Sequence, residues 1–342
     1  HIFNPTSRTR TEGVELLLWE WYGDPDRIEI TDADGKKVEY QILEKGYNNY
    51  WYHNYTRLLI MPMVPAFGYN TVKLTEGNLS KLPIAFHWER RHQDKEILLL
   101  ENELLRVEFN PYDASIVSVV DKETGKEYID KQRKCGIFQY ILEANHKAVS
   151  EWRSEMSSWL VGRFKKLENL NEDLEIRMEY GTLRNSLYYT ARFHASTMEV
   201  QIYLDAGSRN LNYKVRCDWH EIGTEEKGVP RLQFVMPVPY KKPAYVQDIP
   251  FGVIERKETG TDTPALSFSA VFDGEQGSGI AVSSKNTYGY RLEDNGIALA
   301  LLRSSYEPDV YPENGMCEEE FCVRFMKERD SNLCLLQTFW EY

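Results

Sequence analysis

Leu211-Asn212-Tyr213-Lys214-Val215-Arg216-Cys217-Asp218-Trp219-His220 alternates strictly between two kinds of side chain. Odd positions carry Leu211, Tyr213, Val215, Cys217 and Trp219; even positions carry Asn212, Lys214, Arg216, Asp218 and His220. A period of two gives each set its own face of a β-strand. The segment therefore covers a core on one side and meets a polar environment on the other. The bland reading of the polar face is solvation. The sharper reading lines a cleft for a polar ligand with Arg216, Asp218 and His220, with Glu221 extending the ionisable run.

The same period extends in both directions. Val14 to Trp21, Arg57 to Met63 and Tyr69 to Leu74 read as strands, and Arg27 to Thr31 and Lys37 to Ile42 read as a hairpin around Asp32-Ala33-Asp34-Gly35. Further on, Leu104 to Asn110, Ser115 to Asp121, Leu174 to Tyr180, Arg184 to His194 and Met198 to Asp205 continue the meander. Ala144 to Leu170 lacks alternation and is expected to be irregular or helical. Helix-period stripes are nearly absent. The charged run His87 to Glu96 has no apolar period. It suggests a small β-sandwich over 1–88, a junction at 89–95 and a large β domain over 96–342. The fold class is all-β.

Composition narrows the function. The chain has 342 residues, 41 Lys+Arg and 53 Asp+Glu, so its formal net charge is −12. Such a surface repels a nucleic-acid backbone or an anionic membrane. The longest apolar run, Leu58 to Phe67, is broken by Pro62 and Pro65 and falls short of the ~20 residues of a membrane span. No signal peptide is apparent at the N-terminus. Five scattered cysteines without a C-x2-C pair argue against a disulfide scaffold or zinc knuckle and suggest a cytoplasmic protein with reduced thiols. Aromatics reach 13%, which ordinary sheet packing explains better than sugar stacking.

Few motifs for catalysis or metal binding are present in the sequence. His87 and His92 are spaced for neither helical nor strand ligation, and His92-Gln93-Asp94 sits in a charged run without apolar flanks. Nucleophile elbow, P-loop and dinucleotide fingerprints are absent. Paired carboxylates for glycoside chemistry are a matter of spatial separation, which sequence does not give. The residues alone describe an acidic, two-part β protein, with carbohydrate as one ligand class its aromatics suit.

Six further stretches occur in order. They are Phe3-Asn4-Pro5 with Arg10-Thr11-Glu12; Leu100 to Phe109 running on to Asp121-Lys122-Glu123-Thr124-Gly125; Ser158-Trp159-Leu160-Val161-Gly162-Arg163-Phe164; Asp218-Trp219-His220-Glu221; Asp248 to Arg256; and Leu301-Leu302-Arg303-Ser304. Together they resemble the C-terminal β region of the bacterial branch of the glycoside hydrolase family 38 α-mannosidases. Residues 318–342 match that pattern poorly. The resemblance implies that the large domain is a galactose-mutarotase-like supersandwich. It implies a retaining enzyme of terminal α-mannosides whose aspartate nucleophile and zinc belong to an N-terminal barrel missing from this chain. No cofactor is then expected on the chain itself, and the fragment alone is expected to be inactive.

By position, Arg303 resembles the arginine that reaches toward the bound sugar; the competing reading is a structural ion pair at the end of its strand. Asp218 and His220 are weaker candidates beneath the same pocket. Expected partners are a mannoside and the barrel of the same protein, with homo-oligomerisation left open. The alternatives are a free-standing carbohydrate-binding module and an aldose 1-epimerase. The latter needs a His acid and a Glu base facing one sugar, whereas His220 and Glu221 are neighbours on a strand and point apart.

Overall fold

A computed structural model of the chain describes residues 1–48, 52–77, 88–91, 97–144, 156–172, 174–258, 260–274, 277–293, 295–308 and 314–340. The chain forms two compact units. The first comprises His1–Arg90 with Glu179–Ser186 and Leu204–Ser208; the second comprises Arg91–Met178, Leu187–Tyr203 and Arg209–Tyr342.

In the first unit a three-stranded antiparallel sheet has the order Val14–Trp19, His53–Ile60, Tyr40–Asn48. Its apolar positions close over Ile28, Ile30, Tyr40, Leu58 and Ile60. The expected hairpin is only half present. Asp32 accepts from the backbone of Asp34 and Lys36, and Gly35 takes φ +78°, so the turn forms. Ile28–Thr31, however, pairs with Lys73–Glu76, leaving one bridge, Thr31 to Lys37, across the turn. The chain thereby crosses from one layer of the core to the other. Glu179–Ser186 is held in this unit by Arg184, which donates to Asp205 (2.6 and 3.0 Å) and Glu15 (2.6 Å). Gln41 accepts from the backbone of Leu183 and Arg184.

The second unit is a sandwich. Nine neighbouring strands of its larger sheet run Glu175–Tyr180, Arg184–Phe193, Ser196–Asp205, Asn210–Trp219, Gly315–Met326, Gly279–Ser284, Phe268–Asp273, Pro243–Ile249, Gly252–Arg256. A six-stranded sheet runs Phe164–Asn169, Ile137–Glu143, Val229–Pro237, Gly296–Arg303, Gly289–Glu293, Asp262–Pro264. Asn210–Trp219 lies near the middle of the larger sheet, and its odd-numbered side chains are all buried. Tyr213 stacks on Phe321 (4.8 Å, 6°) and meets Phe234 of the opposite sheet at 4.9 Å. These rings join the two sheets through buried aromatic area, the largest single source of burial in such a core.

Three sequence expectations change. Phe164–Asn169, inside the stretch expected to be irregular or helical, is a strand paired with Ile137–Glu143. Trp88–Arg91 is a strand where the charged junction begins, while His87 and His92 to Glu96 lie outside the described residues. The chain also ends in a helix, Asn332–Trp340, started by Ser331, whose Oγ accepts from Cys334 N (3.3 Å). Leu335 and Phe339 bury its apolar side against Val246, Phe268 and Met326, with Phe339 stacked 4.4 Å from Phe268.

Candidate functional site

Strand pairing brings one set of loops to a single end of the sandwich. Trp219 pairs with Gly315 and Arg231 with Arg303, so these strand ends coincide. Trp219 Nε1 donates to Ser304 Oγ at 2.7 Å and ties the two sheets together there. Backbone bonds from Leu266 to Asp248 and from Ala265 to Tyr288 add the neighbouring turns. Among the described residues, this end exposes Trp159, Leu160, Ile222, Phe251, Leu266 and Tyr288. Trp159 is 73% exposed, and Phe251, fully exposed at a hairpin tip, holds φ +68°. Large apolar side chains gathered at one end of a domain mark a surface made for contact.

At the root of this end lies a charged cluster. Arg303 donates through Nε (3.0 Å) and Nη2 (2.8 Å) to Glu143, a side-on bidentate pair, and through Nη1 and Nη2 to the carbonyls of Ser157 (2.5 Å) and Leu160 (2.8 Å). Glu143 also accepts from Gly162 N at 2.9 Å. A side chain at Gly162 would put its Cβ 2.0 Å from the Ala144 carbonyl oxygen, so the loop passes only as glycine. Ser157 Oγ accepts from Tyr306 N and Glu307 N. Arg303 thus clamps the loop that displays Trp159.

Arg231, wholly buried, lies 3.7 Å from Glu143 and hydrogen-bonds Asp262, which also accepts from Arg291 (2.9 Å). The Phe164 ring lies against both guanidinium groups, 3.8 Å from Arg291 and 5.5 Å from Arg231. Burial works against the Asp262 carboxylate, yet Arg231 and Arg291 hold it below its ordinary range.

Asp218 and His220 pair with each other at 2.9 Å, both about half exposed, on the outer face. Trp219 between them points inward to Ser304, so the pleat separates this pair from Arg303. Among the described residues no hydrogen bond or ion pair joins them to it. Arg216 is exposed, 3.9 Å from Glu199 and Glu318. Glu221 is buried, accepting from Ala195 N (3.1 Å), Ser196 Oγ (3.0 Å) and Tyr140 Oη (3.4 Å).

Two features have no sequence signal. Glu168 and His194, 3.0 Å apart, line a cavity of about 460 Å³ with Glu175, Thr190 and Arg192. A hydrogen bond from Lys166, opposed by burial and seconded by His194, holds the Glu168 carboxyl low. Glu319 sits on the inner face opposite Val215, and burial, offset by Asn286, pushes its carboxyl to about 7. Among the described residues, no group of three or more His, Cys, Asp or Glu could hold a metal ion.

No curated protein matches the chain. Solved structures that share its fold include an α-mannosidase from Enterococcus faecalis V583 (TM-score 0.70) and a glycosyl hydrolase family 38 protein from Enterococcus faecalis (TM-score 0.68). Each is 14% identical and matches 99% of this chain, but the chain spans only 44% and 46% of their lengths. The model of the glycosyl hydrolases family 38 C-terminal domain matches residues 100–311, which hold the Arg303–Glu143 clamp, the Trp159 loop and most of the sandwich. That match covers well over half of the sequence, and on it the chain belongs to glycoside hydrolase family 38, as a carrier of its C-terminal domain.

Proposed function

We propose that this chain is the C-terminal β region of an α-mannosidase and that the loop-bearing end of its sandwich completes one wall of the sugar pocket. In this reading the intact enzyme hydrolyses terminal α-mannosides with retention, in the cytoplasm. Its nucleophile and zinc come from an N-terminal barrel, the partner on which the β region packs. The observation that carries the reading is the clamp. A guanidinium locked to a buried carboxylate fixes a loop whose indole faces outward, beside other exposed apolar side chains. Rigid presentation of contact groups is what a pocket wall requires, because small displacements near reacting atoms lower rates steeply. On this account Arg303 acts first as a positioning residue, with its sugar contact an additional role.

Arg303→Lys in the full-length enzyme tests this. Lysine keeps a positive charge beside Glu143 but has no planar fork to span the carboxylate and two carbonyls. We expect kcat/KM for an aryl α-mannoside to fall roughly 10–100-fold, with a melting temperature close to that of the parent. Unchanged kinetics in a folded variant would remove Arg303 and its loop from the pocket. Arg303→Ala is less clean, since it strands Glu143 in the interior and lowers stability as well.

A further inference from the structure

Cys217 and Cys317 stand directly opposite each other in adjacent antiparallel strands. They lie on the inner face, which also carries Trp219 and Phe321. The register is unbroken from Asn210–Arg324 to Trp219–Gly315. Phe325 N donates to Arg209 O at 3.1 Å one step before it. Counting along the alternating ladder, Cys217–Cys317 is a hydrogen-bonded pair, whose Cα atoms are about 5.5 Å apart. That spacing is near the mode for a disulfide, but the Cβ atoms of such a pair stand about 5 Å apart, against about 3.8 Å in the bond. Closing the bond draws the strands together, and a bond under that strain is readily reduced again.

Both thiols are reduced in the structure. Access is unequal: Cys217 is fully buried, whereas Cys317 is half-buried, two residues from the start of its strand. Burial, with Cys317 alongside, pushes the Cys217 thiol up to about 12, so the entry point is Cys317. Cys322 lies opposite Asn212, and Cys334 is on the terminal helix.

We propose that Cys217 and Cys317 form a reversible cross-strand disulfide when the protein meets a disulfide oxidant such as oxidised glutathione. The Cys317 thiolate attacks one glutathione sulfur, forming a mixed disulfide and releasing one glutathione thiolate. Cys217 then loses its proton and attacks the Cys317 sulfur, releasing the second glutathione. The two cysteines give up two electrons and two protons, which end on two reduced glutathione molecules. The bond pins the strand ends that hold Trp219 against Ser304, next to Arg303.

The test treats the folded protein with oxidised glutathione at pH 8, alkylates the remaining thiols under acid conditions and maps peptides by mass spectrometry. The expected result is loss of two of the five thiols, one linked peptide joining Cys217 to Cys317, and its release by reduced glutathione. Cys217→Ser is expected to trap glutathione on Cys317. Glutathione remaining on Cys317 of the parent protein, reaction only after unfolding, linkage between copies, or no adduct in folded Cys217→Ser would each overturn the proposal.

Discussion

Glu143→Gln is expected to destabilise the protein by roughly 3–5 kcal/mol, the cost of breaking a buried ion pair by removing one partner. The carboxylate is fully buried, and its oxygens accept from Arg303 and from Gly162 N. Glutamine keeps the shape but replaces one oxygen with an amide NH₂, setting donor against donor. Arg303 and the fully buried Arg231 then lose negative charge; among the described residues Asp262 alone remains as an ion partner of Arg231. A surface pair such as Lys285–Glu320 would contribute about 0–1 kcal/mol in the same comparison. Denaturant unfolding followed by tryptophan fluorescence checks this. A change below 1 kcal/mol would mean that the cluster is hydrated and that the clamp does not hold the loop.

Glu319→Gln should do the opposite, and only at higher pH. The carboxyl is 8% exposed, no ion pair reaches it among the described residues, and its folded value of about 7 lies above the ordinary 4.5. Below the ordinary value both folded and unfolded chains hold the proton. Between the two values the unfolded chain has released it and the folded one has not, so stability falls as pH rises. Above about 7 the loss is complete, on the order of 3 kcal/mol. Glutamine stays neutral throughout. The variant is therefore expected to match the parent near pH 4.5 and to melt higher at pH 8; parallel stability curves would contradict this. Asp262 and Asp121 act with the reverse sign. Arginine neighbours outweigh burial and lower both carboxyls, so their contribution is present at neutral pH and is lost as pH falls through the lowered values.

The legibility of these elements in the sequence follows from the range of the interactions that make them. Leu211 to His220 was readable because a half-buried strand in a sandwich imposes a two-residue period, and its odd side chains are all buried. Gly315–Met326, its neighbour, was obscured: Glu318, Glu319 and Glu320 put acids on both faces, and one is buried. The terminal helix spans nine residues, too short for its Leu335 and Phe339 to stand out as a period. Arg303 stands out in the sequence as the polar end of an apolar strand, but its ion-pair partner lies 160 residues away on another strand. Cross-strand neighbours at that separation follow from sheet order, which local pattern does not encode. The same holds for Glu168 facing His194, and for Ile28–Thr31 pairing with Lys73–Glu76 rather than across its own turn.

The reading of this family 38 chain as a supporting β region is tested most directly on the chain itself. The purified 342-residue protein is assayed for bound zinc by elemental analysis and for turnover of an aryl α-mannoside. The predicted result is no stoichiometric zinc and no measurable hydrolysis, with activity appearing only in the full-length enzyme. Zinc at one equivalent, or turnover by the chain alone, would contradict it.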